Sequence, residues 1–265
     1  MSRKSLINIM SAPPAEPNAN FLRHITTGIE HINRLNSRPS SKYYKPSSMN
    51  CQRQMYYMRK GVKEDEQTIS YNAISIAQTG TDRHNDIQNA LIQLNELKSS
   101  DWLYIDVGDY VEEYKKRGMC QDLEMTNRKG NECHFIDNRL NLSFMCDGIL
   151  YHKSEDEYYL FEFKNQASKK AAYKTCIDPD HINQVVCYSL SFNLNKVIML
   201  YEDRDICNLY CPPVVNITDS MKDNMEKLLL QTEEMVENNY LPKMVSNPSI
   251  CKWCKYKTQC EKDGE

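Results

Sequence analysis

At 265 residues and 31.0 kDa, with 40% hydrophobic and 26% charged residues, the chain is long enough to bury a full core and has the composition of an ordinary globular protein of one domain or two. Its formal net charge of −3 excludes bulk electrostatic attraction to nucleic acid, so any such affinity has to come from local patches or bound metal. No segment approaches the ~20 apolar residues of a membrane helix, and the apolar stretch after Arg3 and Lys4 is too short for a signal peptide; a cytoplasmic protein without membrane contact is expected.

Residues 11–20 hold three prolines and little apolar content, and read as loop. Phe21, Leu22, Ile25, Ile29, Ile32 and Leu35 have helical spacing. Residues 36–50, rich in Ser, Pro and Tyr, return to loop, and Ser47 and Ser48 are the expected N-caps of a helix over 52–60. Residues 68–98 predict one long helix or two in series. Ile74, Ala77, His84, Ile87, Leu91 and Leu94 mark its inward side, and Gly80 falls near a turn or a close helix contact. Strands are predicted over 103–111, 140–152, 158–165, 196–202 and 207–217, with the polar run 153–157 turning the second and third into a hairpin. Asp178 and Pro179 open a helix that runs to about Phe192, as N-cap and first helical residue. A last helix covers roughly 219–238, and a proline-containing loop at 241–249 leads into a cysteine-bearing tail.

Asp147 and the run Glu162-Phe163-Lys164 conflict with simple burial patterning. Side chains two apart on a strand share a face, so Glu162 and Lys164 project together above Leu160, while Tyr159, Phe161 and Phe163 point the other way into a core. A charged pair on an otherwise apolar strand is a mark of functional sites. Gly148 permits a bulge or close backbone approach directly after Asp147, and a short hairpin brings Asp147 opposite the Glu162 region. Two carboxylates with one lysine are what metal-dependent cleavage of a phosphodiester needs: oxygens for a hard divalent cation, and a positive charge beside water and phosphate. The bland alternative is an edge-strand ion pair beside a turn aspartate.

Two further pieces extend the pattern. Gly80-Thr81-Asp82-Arg83-His84 puts a histidine on a helix ahead of the strands, and Gln184 and Tyr188 lie one helical turn apart on one face. In this order the residues resemble the PD-(D/E)XK nuclease superfamily and, within it, the RecB-like exonucleases that include the CRISPR-associated iron–sulphur nucleases. The matching run is Gly80 to His84, Asp147, Glu162 to Lys164, then Gln184 to Tyr188. It departs from the family at Cys146, where the residue before the aspartate is often proline, a position that tolerates variation. The resemblance covers roughly 45–260.

That resemblance implies an α/β fold with a central mixed β-sheet flanked by helices, residues 1–45 forming an N-terminal extension and 46–265 a nuclease domain. It implies that His84, Asp147, Glu162 and the backbone carbonyl of Phe163 ligate Mg²⁺ or Mn²⁺. Lys164 would orient or deprotonate the attacking water, and Gln184 and Tyr188 would position the lysine, the water or a DNA phosphate. Oxygen ligands suit Mg²⁺, and the imidazole leans the site towards Mn²⁺. The implied partners are DNA, single-stranded or at duplex ends, and proteins of recombination, replication or CRISPR processing.

Eleven cysteines in a chain read as cytosolic argue against a disulfide framework, as does the odd count. Cys133, Cys146, Cys176, Cys187 and Cys207 read as isolated buried thiols. Cys251, Cys254 and Cys260 supply three clustered thiolates, one short of a tetrahedral or cluster set, and Cys51 is the leading fourth. The resemblance implies a [4Fe–4S] cluster on these four, tying the two ends of the chain across the core; structural zinc is the main competitor. Basic residues concentrate near the motifs: Arg53, Arg59, Lys60 and Lys63; Lys169, Lys170 and Lys174; Lys252, Lys255 and Lys257. Tyr56, Tyr57, Trp253 and Tyr256 interleave with them in a manner suited to single-stranded DNA, the alternative being solvated helix faces with the aromatics turned inward. From a different class, a non-catalytic DNA-binding module with a structural metal fits the same tail.

Overall fold

The computed structural model describes residues 17–36, 41–65, 69–129, 132–171, 177–245 and 247–264. The chain divides into two compact units. Among the described residues the smaller holds α1 (Pro17–Leu35) and the segment 69–79. There Glu30 Oε1 accepts a hydrogen bond from the Tyr71 backbone N–H at 2.9 Å, and the α1 residues Phe21, Leu22, Ile25, Ile32 and Leu35 are exposed. Helix α1 begins at Pro17, earlier than the apolar spacing predicts, because proline is tolerated in a first helical turn.

The larger unit opens with α2 (Gln52–Lys60). It continues through α3 (Tyr71–Gln93), which belongs to this unit from Gly80 onward, then β1 (Trp102–Ile105) and α4 (Val107–Lys116). Next come β2 (Leu123–Lys129), β3 (Glu132–Asp137), β4 (Leu142–Met145), β5 (Gly148–His152) and β6 (Glu157–Gln166). The short α5 (Ser168–Ala171), α6 (Pro179–Phe192), β7 (Lys196–Asp203), β8 (Asn208–Tyr210) and β9 (Val215–Asn216) follow. Helix α7 (Asp219–Glu237) and the short α8 (Pro248–Cys251) and α9 (Lys257–Lys262) end the chain.

Among the described residues β1, β5, β6, β7 and β8 form a sheet in that order, with β9 also on β7, and β2, β3 and β4 form a separate three-stranded sheet. The β6–β7 pair is parallel and the other pairs are antiparallel, so the large sheet is mixed. Helices cover both of its faces. Leu160, Val197, Met199 and Tyr201 pack with Val185, Val186, Tyr188 and Phe192 of α6 on one side. Tyr159, Phe161, Phe163, Tyr104 and Leu150 pack with Ile87 and Leu91 of α3 on the other. Burying apolar side chains on both faces of β6 forces its alternation to read as a nearly continuous apolar run, against which Glu162 and Lys164 stand out.

The structure departs from the sequence reading in several places. The strand predicted over 103–111 stops at Ile105. Asp106 caps α4, its Oδ1 accepting from Asp109 N–H at 3.0 Å, and Val107, Tyr110 and Val111 are buried at helical spacing. The strand predicted over 140–152 is two strands in two sheets, broken at Cys146–Asp147. The run 207–217 likewise resolves into β8 and β9, and the β2–β3 pair was not foreseen. Ser47 and Ser48 lie in a 3₁₀ turn, and Cys51 is the N-cap of α2. Gly80 sits inside α3 with nothing within 4 Å of an added Cβ, and Ala77 is exposed. Cys133, Cys146 and Cys187 are buried as expected; Cys207 is exposed in the turn after β7 at φ 55°, and Cys176 lies outside the described residues.

The hairpin of β5 and β6 forms across the polar turn, with Leu150 opposite Tyr159. Asp178 is the N-cap of α6 and Pro179 its first residue, and Asn193 ends it in the left-handed conformation at φ 57°. No helix among the described residues is long and apolar enough to cross a membrane.

Candidate active site

Asp147 sits where the chain leaves the small sheet for the large one, after Met145 of β4 and before Gly148 of β5. Gly148 admits the Tyr104 ring closely: a Cβ would lie 3.1 Å from it, so the ring would have to shift. Strand β5 pairs with β6 only as far as Gly148 opposite Phe161. Beyond that point the Asp147 side chain takes over the edge, its Oδ2 accepting from Phe163 N–H at 2.8 Å. The N–H and C=O of one strand residue point towards the same neighbour, so the Phe163 carbonyl faces this same edge.

His84 approaches from α3. Its ring lies edge-on to Phe163 with centroids 4.9 Å apart, and its Nδ1 is 3.2 Å from Asp147 Oδ1. Burial pulls the imidazole pKa down, but hydrogen bonding to Asp147 and the charges of Asp147 and Glu162 outweigh it, and the net shift is upward.

Glu162 and Lys164 project from the other face of β6, towards α6. Lys164 Nζ donates to Glu162 Oε1 at 2.5 Å and to Gln184 Oε1 at 2.8 Å. Gln184 Nε2 donates to Glu162 Oε1 at 2.8 Å and to Tyr188 OH at 2.7 Å, and Tyr188 OH donates to the Met145 carbonyl at 2.8 Å. The i, i+4 spacing on α6 puts the amide and the phenol on one face, and the Tyr188–Met145 bond ties that face to the end of β4. The structure thus gathers His84, Asp147, Glu162, Phe163, Lys164, Gln184 and Tyr188 at one end of β6.

Glu162 is 2% exposed. Both donors fall on Oε1, and Oε2 is buried with no partner. Burial, and then the Asp147 charge, push the carboxyl up to about 7 against the opposing pull of Lys164 and His84. Two carboxylates therefore face one lysine and one histidine, with one buried oxygen left over. Among the described residues no three His, Cys, Asp or Glu side chains stand at metal-ligating spacing; the acids here are engaged by Lys164, Gln184 and the Phe163 N–H. The orphaned Oε2 beside Asp147 nonetheless has the chemistry of a hard-cation site: a buried oxygen lone pair on a carboxyl group that a cation would favour in its ionised form.

Three contacts at the site were not foreseen from sequence. Gln88, 3% exposed and one turn beyond His84, donates from Nε2 to the Asp147 carbonyl at 3.1 Å. Arg83 NH2 bonds Glu202 Oε1 at 2.7 Å, and Asn165 Nδ2 donates to Glu202 Oε2 at 2.7 Å. Glu202 is 1% exposed at the end of β7, and these bonds hold its pKa down. The available signals were a glutamine one helical turn after His84 and a carboxylate closing the apolar run of β7.

The tail cysteines are brought to Cys51. Cys51, Cys251, Cys254 and Cys260 line one largely apolar cavity of about 270 Å³, together with Tyr57 and Met244. Tyr256 N–H donates to Cys254 Sγ at 3.4 Å. Burial raises the Cys254 and Cys260 thiols, opposed at Cys260 by the Arg53 charge. The four sulfurs share one apolar cavity and are of the soft donor type that thiophilic metal groups take, but they do not stand at metal-ligating spacing. Of the aromatics expected to interleave with basic residues, Tyr56, Tyr57 and Tyr256 are buried together and Trp253 is 74% exposed. Arg53 is buried and donates to Tyr57 OH, and Arg59 bonds Glu233. The aromatics of α2 therefore serve packing.

The chain matches no family model and no curated protein sequence. Solved structures that resemble it include SSO0001, with a TM-score of 0.43 and 14% identity over 89% of this chain and 95% of that one. They also include an alkaline exonuclease, LHK-Exo, from Laribacter hongkongensis, with a TM-score of 0.43 and 11% identity over 76% of this chain and 91% of that one. The same exonuclease in complex with dAMP overlaps to the same degree, over 75% of this chain and 90% of that one. These likenesses are distant; what the site can do follows from its own residues.

Proposed function

We propose that the chain is a metal-dependent DNA exonuclease of the PD-(D/E)XK, RecB-like type, hydrolysing phosphodiester bonds with the end of β6 as its active site. The observation that carries this reading is Glu162: a fully buried carboxylate with one oxygen orphaned, facing Asp147 across the strand and tied to a lysine by a 2.5 Å contact. A stability role alone gives no reason to bury it so. His84, Asp147, Glu162 and the Phe163 carbonyl would hold Mn²⁺ or Mg²⁺. When bound, the cation would polarise the scissile phosphate and lower the pKa of water.

The chain's own groups do the remaining work. Lys164, held between Glu162 and Gln184, presents Nζ where it orients the attacking water and stabilises charge building on the phosphate. Gln184 fixes Lys164 and Glu162 together, and Tyr188 fixes Gln184 against the Met145 carbonyl. Asp147 keeps the β6 edge open by satisfying the Phe163 N–H in place of a strand. In the cysteine cavity, Cys51, Cys251, Cys254 and Cys260 would hold a [4Fe–4S] cluster, the arrangement of the CRISPR-associated iron–sulphur members of the group.

Anaerobically purified protein incubated with Mn²⁺ and end-labelled single- and double-stranded oligonucleotides tests the reading. Release of label as short products, abolished by chelator, is expected. Binding of either oligonucleotide without cleavage in Mn²⁺ or Mg²⁺ would assign the chain to non-catalytic DNA binding instead.

A further inference from the structure

Asp147 has no regular strand to hold it. It lies in the two-residue gap between β4 and β5, where the backbone changes sheets, and Cys146 beside it is fully buried. Its carboxylate is held by the Phe163 N–H and His84, and the backbone that carries it by what fixes the main chain at that gap. One such contact comes from outside both sheets: the Gln88 amide, donating to the Asp147 carbonyl at 3.1 Å. Gln88 lies on α3 one turn after His84, so the helix that brings the imidazole to Asp147 Oδ1 also grips the Asp147 backbone. The Arg83–Glu202 ion pair, one residue before His84, ties α3 to the end of β7. His84 is thus bracketed by two contacts, one to the catalytic strand's neighbour and one to the aspartate itself.

We infer that Gln88 is a positioning residue of the active site: by holding the Asp147 main chain to the helix that carries His84, it fixes the imidazole and the carboxylate as one preorganised pair for the divalent cation. This rests on the metal-dependent reading above. Groups that orient a metal's ligands from behind are worth about 10- to 100-fold in metal affinity or activity when removed. Gln88 reaches neither the cation nor the substrate, so its loss should appear in metal affinity before it appears in the rate at saturating metal.

Gln88→Met keeps the side-chain length and loses the donor; Gln88→Asn keeps the amide and is one methylene too short to reach. Mn²⁺ binding to the purified full chain, followed by electron paramagnetic resonance above the baseline of Glu162→Gln, should weaken about ten-fold or more in both variants. Cleavage should recover towards the wild-type rate as Mn²⁺ is raised, and the melting temperature in chelator should stay near wild type. Unchanged Mn²⁺ affinity in both variants overturns the proposal. A lowered metal-free melting temperature with unchanged affinity also overturns it, and makes Gln88 a packing residue. Wild-type protein that neither binds Mn²⁺ nor cuts DNA is a separate result: it removes the nuclease reading, whereas a wild type that binds and cuts beside unaffected variants removes this inference alone.

Discussion

Glu162 has two donors on one oxygen and none on the other, and it is shut away from water. Burial, and then the Asp147 charge, raise its pKa to about 7 from an ordinary 4.5, so below about pH 7 the metal-free fold favours the neutral carboxyl. The stability this contributes is fully present below about pH 4.5 and is lost as pH rises through about 7, on the order of a few kcal/mol for a shift of this size. In chelator, the wild-type melting temperature should therefore fall between pH 5.5 and pH 8 relative to Glu162→Gln, which has no such proton to lose. Added Mn²⁺ should stabilise the wild type more at pH 8 than at pH 5.5. Parallel pH profiles for the two proteins would show that Glu162 ionises without cost. At this scale the sequence was informative where spacing carries geometry. The i, i+2 pair Glu162 and Lys164 and the i, i+4 pair Gln184 and Tyr188 each had to share a face. Gln88 and Arg83 were not legible, because their partners Asp147 and Glu202 lie 59 and 119 residues away and no local period encodes such a contact.

The elements divide along the same line. Helices α1 and α7 and the inward residues Ile87 and Leu91 of α3 follow from apolar spacing, and α6 from its Asp178–Pro179 start. The segment 103–111 misleads because Leu103, Tyr104, Ile105, Val107, Tyr110 and Val111 are all good strand residues. The Asp106 cap turns the chain into a helix that buries Val107, Tyr110 and Val111 together. Removing that cap with Asp106→Ala should cost about 1 kcal/mol in urea unfolding. Part of that loss comes from the Asp106–Arg128 contact at 3.0 Å, so Arg128→Ala alone should cost less. The break in 140–152 was hidden because Cys146 is as apolar as its neighbours. The close approach of the Tyr104 ring to Gly148, where an added Cβ would lie 3.1 Å from it, is a tertiary contact that no local pattern encodes. The β2–β3 pair escaped notice because β2 carries only Leu123 and Met125 before the polar run 126–129, and β3 ends on Asp137, a charged residue that the fold buries.

Across the whole molecule, two distant parts of the chain meet at the cysteine cavity: Cys51 at the start of α2, and the tail from Cys251 to Cys260. Tyr56, Tyr57, Met58 and Tyr256 form a small core beside it, so what fills the cavity should affect stability as well as colour. Protein purified without oxygen should carry iron and sulphide and absorb in the visible. Cys254→Ser should bleach it and lower the melting temperature by several degrees, whereas a colourless protein holding zinc would assign the cavity to a structural zinc site. With a net charge of −3 and most of the expected stacking aromatics buried, any DNA affinity has to arise locally near the site. Cleavage by this site is tested most directly in single-turnover assays of wild type and Lys164→Met with Mn²⁺ and an end-labelled oligonucleotide, alongside DNA binding by fluorescence anisotropy. Loss of at least about a hundred-fold in cleavage rate with near-wild-type binding is the predicted result. Equal cleavage by the two proteins, or none by the wild type, would contradict it.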